Sequence, residues 1–276
     1  MGGAAFFDLD NTLIKGSALF HVGRGMVRHG VITRGEIARH FFKQAGFRWR
    51  GERSRELVGV RERALALGAG LQVAEFVALG EQVYDEALAG RIWEGSRQLA
   101  RRHLEGGEPV WLVTAAPVEL ADIVARRLGL TGALGTVAEV KDGAWTGRLV
   151  GEVLHGSAKA AAVRALAERH CLDLGQSAAY SDSINDLPLL RAAARPHAVN
   201  PDRELRRLAR EEGWPIHDFR SGRRLVRVAA PVAVVAAGAG VLALWRAGPR
   251  GKRKGSPYEA RRAAWVLKKA GVGRRA

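Results

Sequence analysis

From residue 92 to residue 199 the sequence alternates short apolar segments with segments of helical periodicity, and this alternation limits the fold more than any other feature. Apolar segments at 109–113, 177–180 and 197–199 have the length of buried strands. Strands that alternate with helices assemble into a parallel sheet with helices on both faces. The sequence therefore predicts an α/β fold with a doubly wound, mostly parallel, Rossmann-like sheet.

An apolar segment at residues 4–9 predicts one more buried strand, which ends at two carboxylates and the turn-forming Asn11. Residues 136–140 and 148–153 are expected to pair as strands around Lys141-Asp142-Gly143. The segments between the strands predict helices at 96–104, 119–128, 157–169 and 187–193.

Residues 17–90 read as helical throughout and contain no strand candidate. Ser17 and Thr33 are possible helix caps, and Glu36 stands at capping-box spacing from Thr33. Further helices are expected at 53–66 and 73–89. We therefore predict an α-helical cap (17–90) inserted after the first strand of a core made from 1–16 and 91–218.

The basic charge is concentrated at the C-terminal end of the chain. The net charge is +16, and residues 219–276 carry 15 Lys and Arg against one acid, which is +14 of that total. This asymmetry argues against nucleic acid as a partner of the whole protein. The single cysteine, Cys171, excludes an internal disulfide framework, and we expect it to be buried.

Residues 228–245 form an uncharged, mostly apolar run of 18 residues with basic residues on both sides. As a helix the run would extend about 27 Å, close to the roughly 30 Å of a bilayer core. We predict a C-terminal hydrophobic helix that spans or lies on a membrane, although its many alanines and Pro231 make it a borderline span. The start of the sequence has no secretory signal, so the catalytic domain is expected in the cytoplasm, membrane-associated through 228–245.

Polar residues follow the predicted strands at the ends where α/β sheets hold their sites. Asp8 and Asp10 follow the first strand, and paired carboxylates suit a divalent cation or a division between nucleophilic attack and proton transfer. Thr114 ends the next strand, where a hydroxyl and backbone N–H groups can hold phosphoryl oxygens. Lys159 lies at a helix start, which favours anions.

Two more carboxylates follow the strand at 177–180. Asp182 is placed to complete a metal site, and Asp186, four residues later, to support that site from outside. The pattern Asp8-x-Asp10-x-Thr12, then Thr114, Lys159 and Asp182-x-x-x-Asp186 resembles the four ordered motifs of the haloacid-dehalogenase-like hydrolases. The helical insertion resembles the cap of their phosphoserine-phosphatase-like branch, subfamily IB.

The resemblance implies a role for each residue. Asp8 would attack phosphorus, Asp10 would protonate the leaving alcohol and then activate water, and Lys159 would stabilise charge. Thr114, Lys159 and Asn185 would bind the phosphate. Mg²⁺ would bind Asp8, the backbone carbonyl of Asp10, and Asp182, while Asp186 would orient the metal shell or Lys159.

The sequence departs from the branch at two positions. Phosphoserine phosphatases carry an acid early in the cap to hold the substrate amino group, whereas Ser17 stands near that position here, which argues against phosphoserine as the substrate. Ser181 replaces a usual glycine before Asp182.

We therefore expect a Mg²⁺-dependent phosphomonoester hydrolase acting on a small-molecule or lipid phosphate. Two alternatives stay open: a phosphotransferase with an acceptor other than water, and a membrane-tethered binding protein without turnover. The set of charges converging on one site argues against the second, because a scaffold has no need for them.

Overall fold

The computed structural model of the chain describes residues 2–30 and 69–220. The strands within these ranges are β1 (Ala5–Phe7), β2 (Val110–Pro117), β3 (Gly132–Thr136), β4 (Ala138–Lys141), β5 (Ala144–Leu149), β6 (Ala178–Ser181), β7 (Arg195–Val199) and β8 (Ile216–His217). Six of them form one sheet in the order β3-β2-β1-β6-β7-β8, and all neighbours in it are parallel. The predicted mostly parallel sheet is confirmed.

Helices cover both faces of this sheet. The α-helices of the described ranges are α1 (Ala18–Arg28), α2 (Val73–Val83), α3 (Glu94–Glu105), α4 (Val118–Leu128), α5 (Ser157–His170), α6 (Leu187–Leu190) and α7 (Arg203–Glu211). Because side chains alternate along a strand, Phe7 joins a hydrophobic cluster with α1 to α4, whereas Phe6 joins a second cluster with α5 to α7. The fold is therefore doubly wound, as predicted.

The described part of the predicted cap is helical and packs directly on the sheet. Val22 of α1 and Phe76 and Leu79 of α2 belong to the same hydrophobic cluster as Phe7. The cap helices expected around Thr33 and at 53–66 lie outside the described residues. The boundaries of the predicted cap domain therefore stay predictions.

The expected pairing of 136–140 with 148–153 is wrong in its bounds. Thr136 ends the parallel strand β3, where its hydroxyl donates to the Ala115 carbonyl (2.9 Å) and accepts from the Leu154 N–H (3.0 Å). The antiparallel hairpin is the shorter β4–β5 pair, in which Lys141 faces Ala144. Its two-residue Asp-Gly turn, with both residues at positive φ, sets that register.

The segment 73–89 is helical as predicted, but it is not one continuous α-helix. The helix α2 ends at Val83 and is followed by a π-helical turn, Tyr84–Leu88, and a 3₁₀ turn, Ala89–Arg91. Val83 and Leu88 are both buried and are five residues apart. A turn wider than an α-helix keeps both on the core side, which accounts for the π turn.

Cys171 is exposed, which corrects the expectation that it is buried. It follows the last residue of α5 in the left-handed conformation (φ 51°), where the chain leaves the helix. The apolar pattern around it predicted burial, but the helix ends before the chain returns to the sheet. Residues 228–245 lie outside the described residues, and no helix within 2–30 or 69–220 is long and apolar enough to cross a membrane.

Aromatic rings stack across three adjacent strands on the face of the sheet that carries α3. The Tyr180 ring centroid lies 4.1 Å from that of Phe7 and 4.4 Å from that of His197. Burial, together with the neighbouring His217, lowers the pKa of His197 to about 4. His197 is therefore a neutral side chain within the packed face.

Candidate active site

The site lies at the point in the sheet where the order of the strands along the chain reverses. From β1 the chain order runs outwards through β2 and β3 on one side and through β6, β7 and β8 on the other. Open α/β sheets bind ligands in the crevice at such a point. Phe7 pairs with Leu112 and with Tyr180, so Asp8, Thr114 and Asp182 emerge at the same sheet edge.

Lys159 joins this edge from the neighbouring helix α5. The helix begins at Ser157 after Gly156, which has a positive φ of 55°, and this places Lys159 in the first turn. The Lys159 Nζ donates to Asp8 Oδ1 at 2.5 Å and to Asp186 Oδ2 at 2.7 Å. All three side chains are buried, and only 2% of Lys159 is exposed.

Asp186 is held by two donors, one of which comes from a departure in the motif. The Ser181 hydroxyl donates to Asp186 Oδ2 at 2.8 Å, beside the bond from Lys159. The glycine usual at this position has no hydroxyl to offer. Asp186 Oδ1 is buried and has no hydrogen-bond partner within the described residues.

Negative charge exceeds positive charge in this cluster, in which Asp8, Asp182 and Asp186 surround the ammonium group of Lys159. Burial raises the pKa of Asp8 to about 6; the Lys159 charge opposes this shift, while Asp186 and Asp10 add to it. Burial also raises the pKa of Asp182 to about 8, with further contributions from Asp8 and Asp186. Burial would lower the pKa of Lys159, but the two carboxylates outweigh it and raise that pKa.

Asp10 faces the start of the cap rather than the other carboxylates. Its Oδ1 accepts from the backbone N–H of Ala18 at 2.9 Å, and its Oδ2 accepts from the Ser17 hydroxyl at 3.1 Å. The Asp10 carboxylate therefore caps α1, where the helix dipole favours an anion. The sequence predicts Ser17 as the cap of this helix, but the Ser17 side chain makes no cap hydrogen bond.

Two of the predicted phosphate-binding residues, Thr114 and Asn185, lie in different surroundings. Thr114 is buried, and its hydroxyl accepts from the Ala116 N–H at 3.2 Å. Asn185 lies in a 3₁₀ turn, Ile184–Asp186, and its side chain makes no hydrogen bond within the described ranges. Thr12, for which the motif implies no role, donates to Asp8 Oδ2 at 3.2 Å.

The cluster fits a divalent cation through its charge and one unpaired atom. The surplus of carboxylates and the unpartnered Asp186 Oδ1 are what a bound hard cation and its water shell would balance. No group of three or more His, Cys, Asp or Glu side chains in the described residues is arranged to hold a metal. The predicted set of Mg²⁺ ligands therefore depends on the backbone carbonyl of Asp10, because the Asp10 carboxylate is hydrogen-bonded to the start of α1.

Two residues that sequence reasoning missed hold the loops of the site together. The Asn200 side chain, in left-handed backbone (φ 47°), donates to the Asn11 carbonyl at 2.9 Å. Asp202 accepts from the Ile184 N–H at 2.9 Å and caps α7 through its other oxygen. The only sequence signal was the Asn-Pro-Asp turn after β7, which marks a loop and a helix start but not what they contact.

Proteins of similar sequence include hydrolases and phosphatases. Residues 5–191 match the haloacid dehalogenase-like hydrolase family. Phosphoserine phosphatase SerB1 of Mycobacterium tuberculosis is 52% identical over 238 residues, covering 86% of this chain and 77% of that protein. Histidinol-phosphatase of Neisseria meningitidis serogroup C is 29% identical over 224 residues, covering 80% of this chain and 100% of that protein.

Solved structures show the same fold. A Bordetella pertussis Tohama I protein of unknown function has a TM-score of 0.68 at 28% identity, covering 79% of this chain and 99% of that one. A phosphoserine phosphatase in its apo form has a TM-score of 0.53 at 20% identity, covering 80% and 94% of the two chains. The chain belongs to the haloacid dehalogenase-like hydrolases, as a phosphatase of their phosphoserine-phosphatase-like branch.

Proposed function

We propose that the chain is a Mg²⁺-dependent phosphomonoesterase that acts on a phosphorylated small molecule through an aspartyl-phosphate at Asp8. The observation that carries the proposal is the setting of Asp8. Its two oxygens accept from Lys159 at 2.5 Å and from Thr12 at 3.2 Å, at the carboxyl end of a parallel strand. Two donors that fix a carboxylate keep it oriented towards a phosphate bound at that sheet edge.

In the first half of the reaction an Asp8 oxygen forms a bond to phosphorus, and the bond from phosphorus to the alcohol oxygen breaks. Lys159 and the Thr114 hydroxyl would hold the phosphoryl oxygens as their charge develops. Lys159 is buried, so its charge acts with little screening from solvent.

Asp10 is the proton carrier in this proposal. Protonated Asp10 gives its proton to the departing alcohol oxygen. It then takes a proton from a water whose oxygen bonds to phosphorus while the bond from phosphorus to the Asp8 oxygen breaks, so that inorganic phosphate leaves and Asp8 is released as a carboxylate. Its bonds to Ser17 and Ala18 fix its position relative to the first helix of the predicted cap. Movement of that helix would therefore move the proton carrier as well.

Asp8, the Asp10 carbonyl and Asp182 would hold the Mg²⁺. When bound, the ion supplies positive charge that offsets the carboxylates and the phosphate. Asp186 acts on this arrangement through Lys159, to which it is bonded at 2.7 Å.

The test compares wild type with Asp8→Asn on p-nitrophenyl phosphate and a panel of small phosphomonoesters, with Mg²⁺ or with excess EDTA. Asp8→Asn should lose turnover by at least about 1,000-fold, because the amide is no nucleophile. Asp142→Asn is the matched control, since Asp142 lies in the hairpin turn (φ 52°), a conformation that asparagine accepts. Turnover by Asp8→Asn equal to that of the wild type would refute the assignment of Asp8 as the nucleophile. Full activity in excess EDTA would refute the requirement for Mg²⁺.

The phosphotransferase alternative shares every step up to the aspartyl-phosphate. Product analysis with and without added alcohols separates the two, because a transferase forms a new ester and a hydrolase releases phosphate. The lipid alternative rests on the segment 228–245, which lies outside the described residues and stays a prediction.

A further inference from the structure

A second concave region borders the catalytic loop. It is a pocket of about 550 Å³ between that loop, α1 and the π and 3₁₀ turns that follow α2. Its charged and ionisable lining consists of Lys15, His21, Arg24, Arg28, Arg91 and a single acid, Glu86. The lining of the pocket is therefore strongly basic.

The one acid of this lining is already engaged. Glu86 accepts from Arg28 at 3.0 Å and lies 3.4 Å from His29 Nε2. Arg24 and Arg91, by contrast, make no side-chain hydrogen bond or ion pair within the described ranges. The Lys15 ammonium lies 4.8 Å from the ring centroid of Trp93, a contact that leaves its charge uncompensated. Among the described residues, three cations thus face the pocket without an anion.

His21 connects the pocket to the proton carrier of the site. Burial lowers the pKa of His21; the charges of Arg91 and Arg24 lower it further, and the charge of Asp10 opposes them. His21 lines the pocket together with the two arginines, and it lies in the first turn of α1, whose Ala18 N–H donates to Asp10 at 2.9 Å. Lys15 lies on the same loop as Asp10, and its N–H donates to the Arg91 carbonyl at 2.9 Å. The pocket therefore lies against α1, the helix that the Asp10 carboxylate caps, and in the proposed reaction Asp10 faces the leaving alcohol.

We infer that this pocket binds a further anionic group, a phosphate or a carboxylate, on the leaving alcohol of the substrate. The inference rests on the proposed function, since it places the pocket on the leaving-group side. Arginine suits both groups because its planar fork donates two parallel hydrogen bonds to a phosphate or a carboxylate. An ammonium group on the leaving alcohol would meet three like charges and is disfavoured.

The first test is a series of three-carbon esters that differ in leaving-group charge: glycerol 3-phosphate, 3-phosphoglycerate, phosphoserine and glycerol 1,3-bisphosphate. We expect kcat/KM for 3-phosphoglycerate or the bisphosphate to exceed that for glycerol 3-phosphate by about tenfold or more. Phosphoserine should fall below 3-phosphoglycerate, from which it differs by an ammonium in place of a hydroxyl. The better of the two anionic esters identifies the group that the pocket takes.

The second test removes the two unpaired arginines together. Arg24→Gln/Arg91→Gln should reduce the ratio of kcat/KM for the anionic esters to that for glycerol 3-phosphate by about fivefold or more. Arg164→Gln, on the exposed side of α5, is the matched control and should leave the ratio unchanged. Raising the salt to about 0.3 M should shrink the wild-type preference, because these charges are exposed to solvent. Anionic and neutral esters within about threefold of each other, or a preference that survives in the double variant, would overturn the inference.

A binding measurement separates this inference from the proposed function. Calorimetry on Asp8→Asn protein compares glycerol 1,3-bisphosphate and 3-phosphoglycerate with glycerol 3-phosphate, with and without the two arginine substitutions. Tighter binding of an anionic ester that depends on the arginines supports the pocket even if the wild type hydrolyses no ester. Equal binding of all three refutes the pocket even if p-nitrophenyl phosphate is hydrolysed as proposed.

Discussion

Replacing Lys159 by methionine tests the electrostatics of the site through stability rather than turnover. Lys159 is 2% exposed and lies within 2.7 Å of two carboxylate oxygens. Methionine has a similar length but no charge, so Asp8 and Asp186 would be left buried without a counter-ion. Removing one partner of a buried ion pair costs about 3–5 kcal/mol. For a chain of this size that is a fall in Tm of roughly 6–20 °C.

The pH dependence of this loss has a definite sign. The folded pKa values of Asp8 and Asp182, about 6 and about 8, lie above the ordinary value of 3.8. Removing the ammonium that lowers both would raise them further. At pH values between the unfolded pKa of 3.8 and these folded pKa values, the folded state binds more protons than the unfolded state. The stability of the fold therefore falls as the pH rises through this range. The deficit of Lys159→Met should therefore be larger at about pH 8 than at about pH 5.

The assay is urea denaturation of wild type and Lys159→Met at both pH values, in EDTA so that no metal replaces the lost charge. Lys141→Met, on the exposed hairpin, is the matched control and should change stability by no more than about 0.5 kcal/mol. The reasoning is refuted if Lys159→Met costs no more than the control, or if its deficit grows as the pH falls.

Two further predictions concern packing and protonation elsewhere in the fold. A Cβ on Gly135 would lie 2.6 Å from the Val118 Cα, so Gly135→Ala should lower the free energy of unfolding by about 1–3 kcal/mol. Gly23 has open space around it, so Gly23→Ala should raise the free energy of unfolding by about 0.5–1 kcal/mol. Thermal denaturation measures both variants, and equal effects would contradict the close contact at Gly135. His197, with a folded pKa of about 4 against 6.5, contributes stability above pH 6.5 that is lost as the pH falls towards 4. Between about pH 7 and pH 4.5, His197→Phe should therefore lose about 1–2 kcal/mol less stability than the wild type, a figure reduced to allow for the partial exposure of His197. Urea denaturation at both pH values measures this difference. An unchanged dependence of stability on pH would show that His197 is not the group that takes up the proton.

The local pattern of apolar and polar residues was enough to assign the predicted site residues to the ends of particular strands and helices. The strand at residues 4–9 predicts the position of Asp8, and the helix starting at 157 predicts that of Lys159, because apolar runs and helix starts are read from adjacent residues. The order of the motifs then indicated the family. None of this required knowing which strands are neighbours.

Local pattern was insufficient wherever the outcome depends on a distant partner. Ser181 looked like a conservative exchange for glycine, yet its hydroxyl bonds Asp186 at 2.8 Å because a 3₁₀ turn brings the two together. The segment 136–140 read as part of a hairpin, but Thr136 is bound to Ala115 and Leu154 and ends the parallel strand β3. Hydrophobic periodicity carries no signal for such contacts.

The sequence alone determined that a carboxylate, Asp8, would stand at the end of a buried strand with an ordered set of polar residues following it. Tertiary structure decided what surrounds that carboxylate: Lys159 and Thr12 on its oxygens, and Asp10 turned towards α1, which also lines a basic pocket. The pocket combines Lys15 and Arg24 with Arg91, far along the chain. Strand order and helix packing create such neighbours, and a one-dimensional pattern does not contain them.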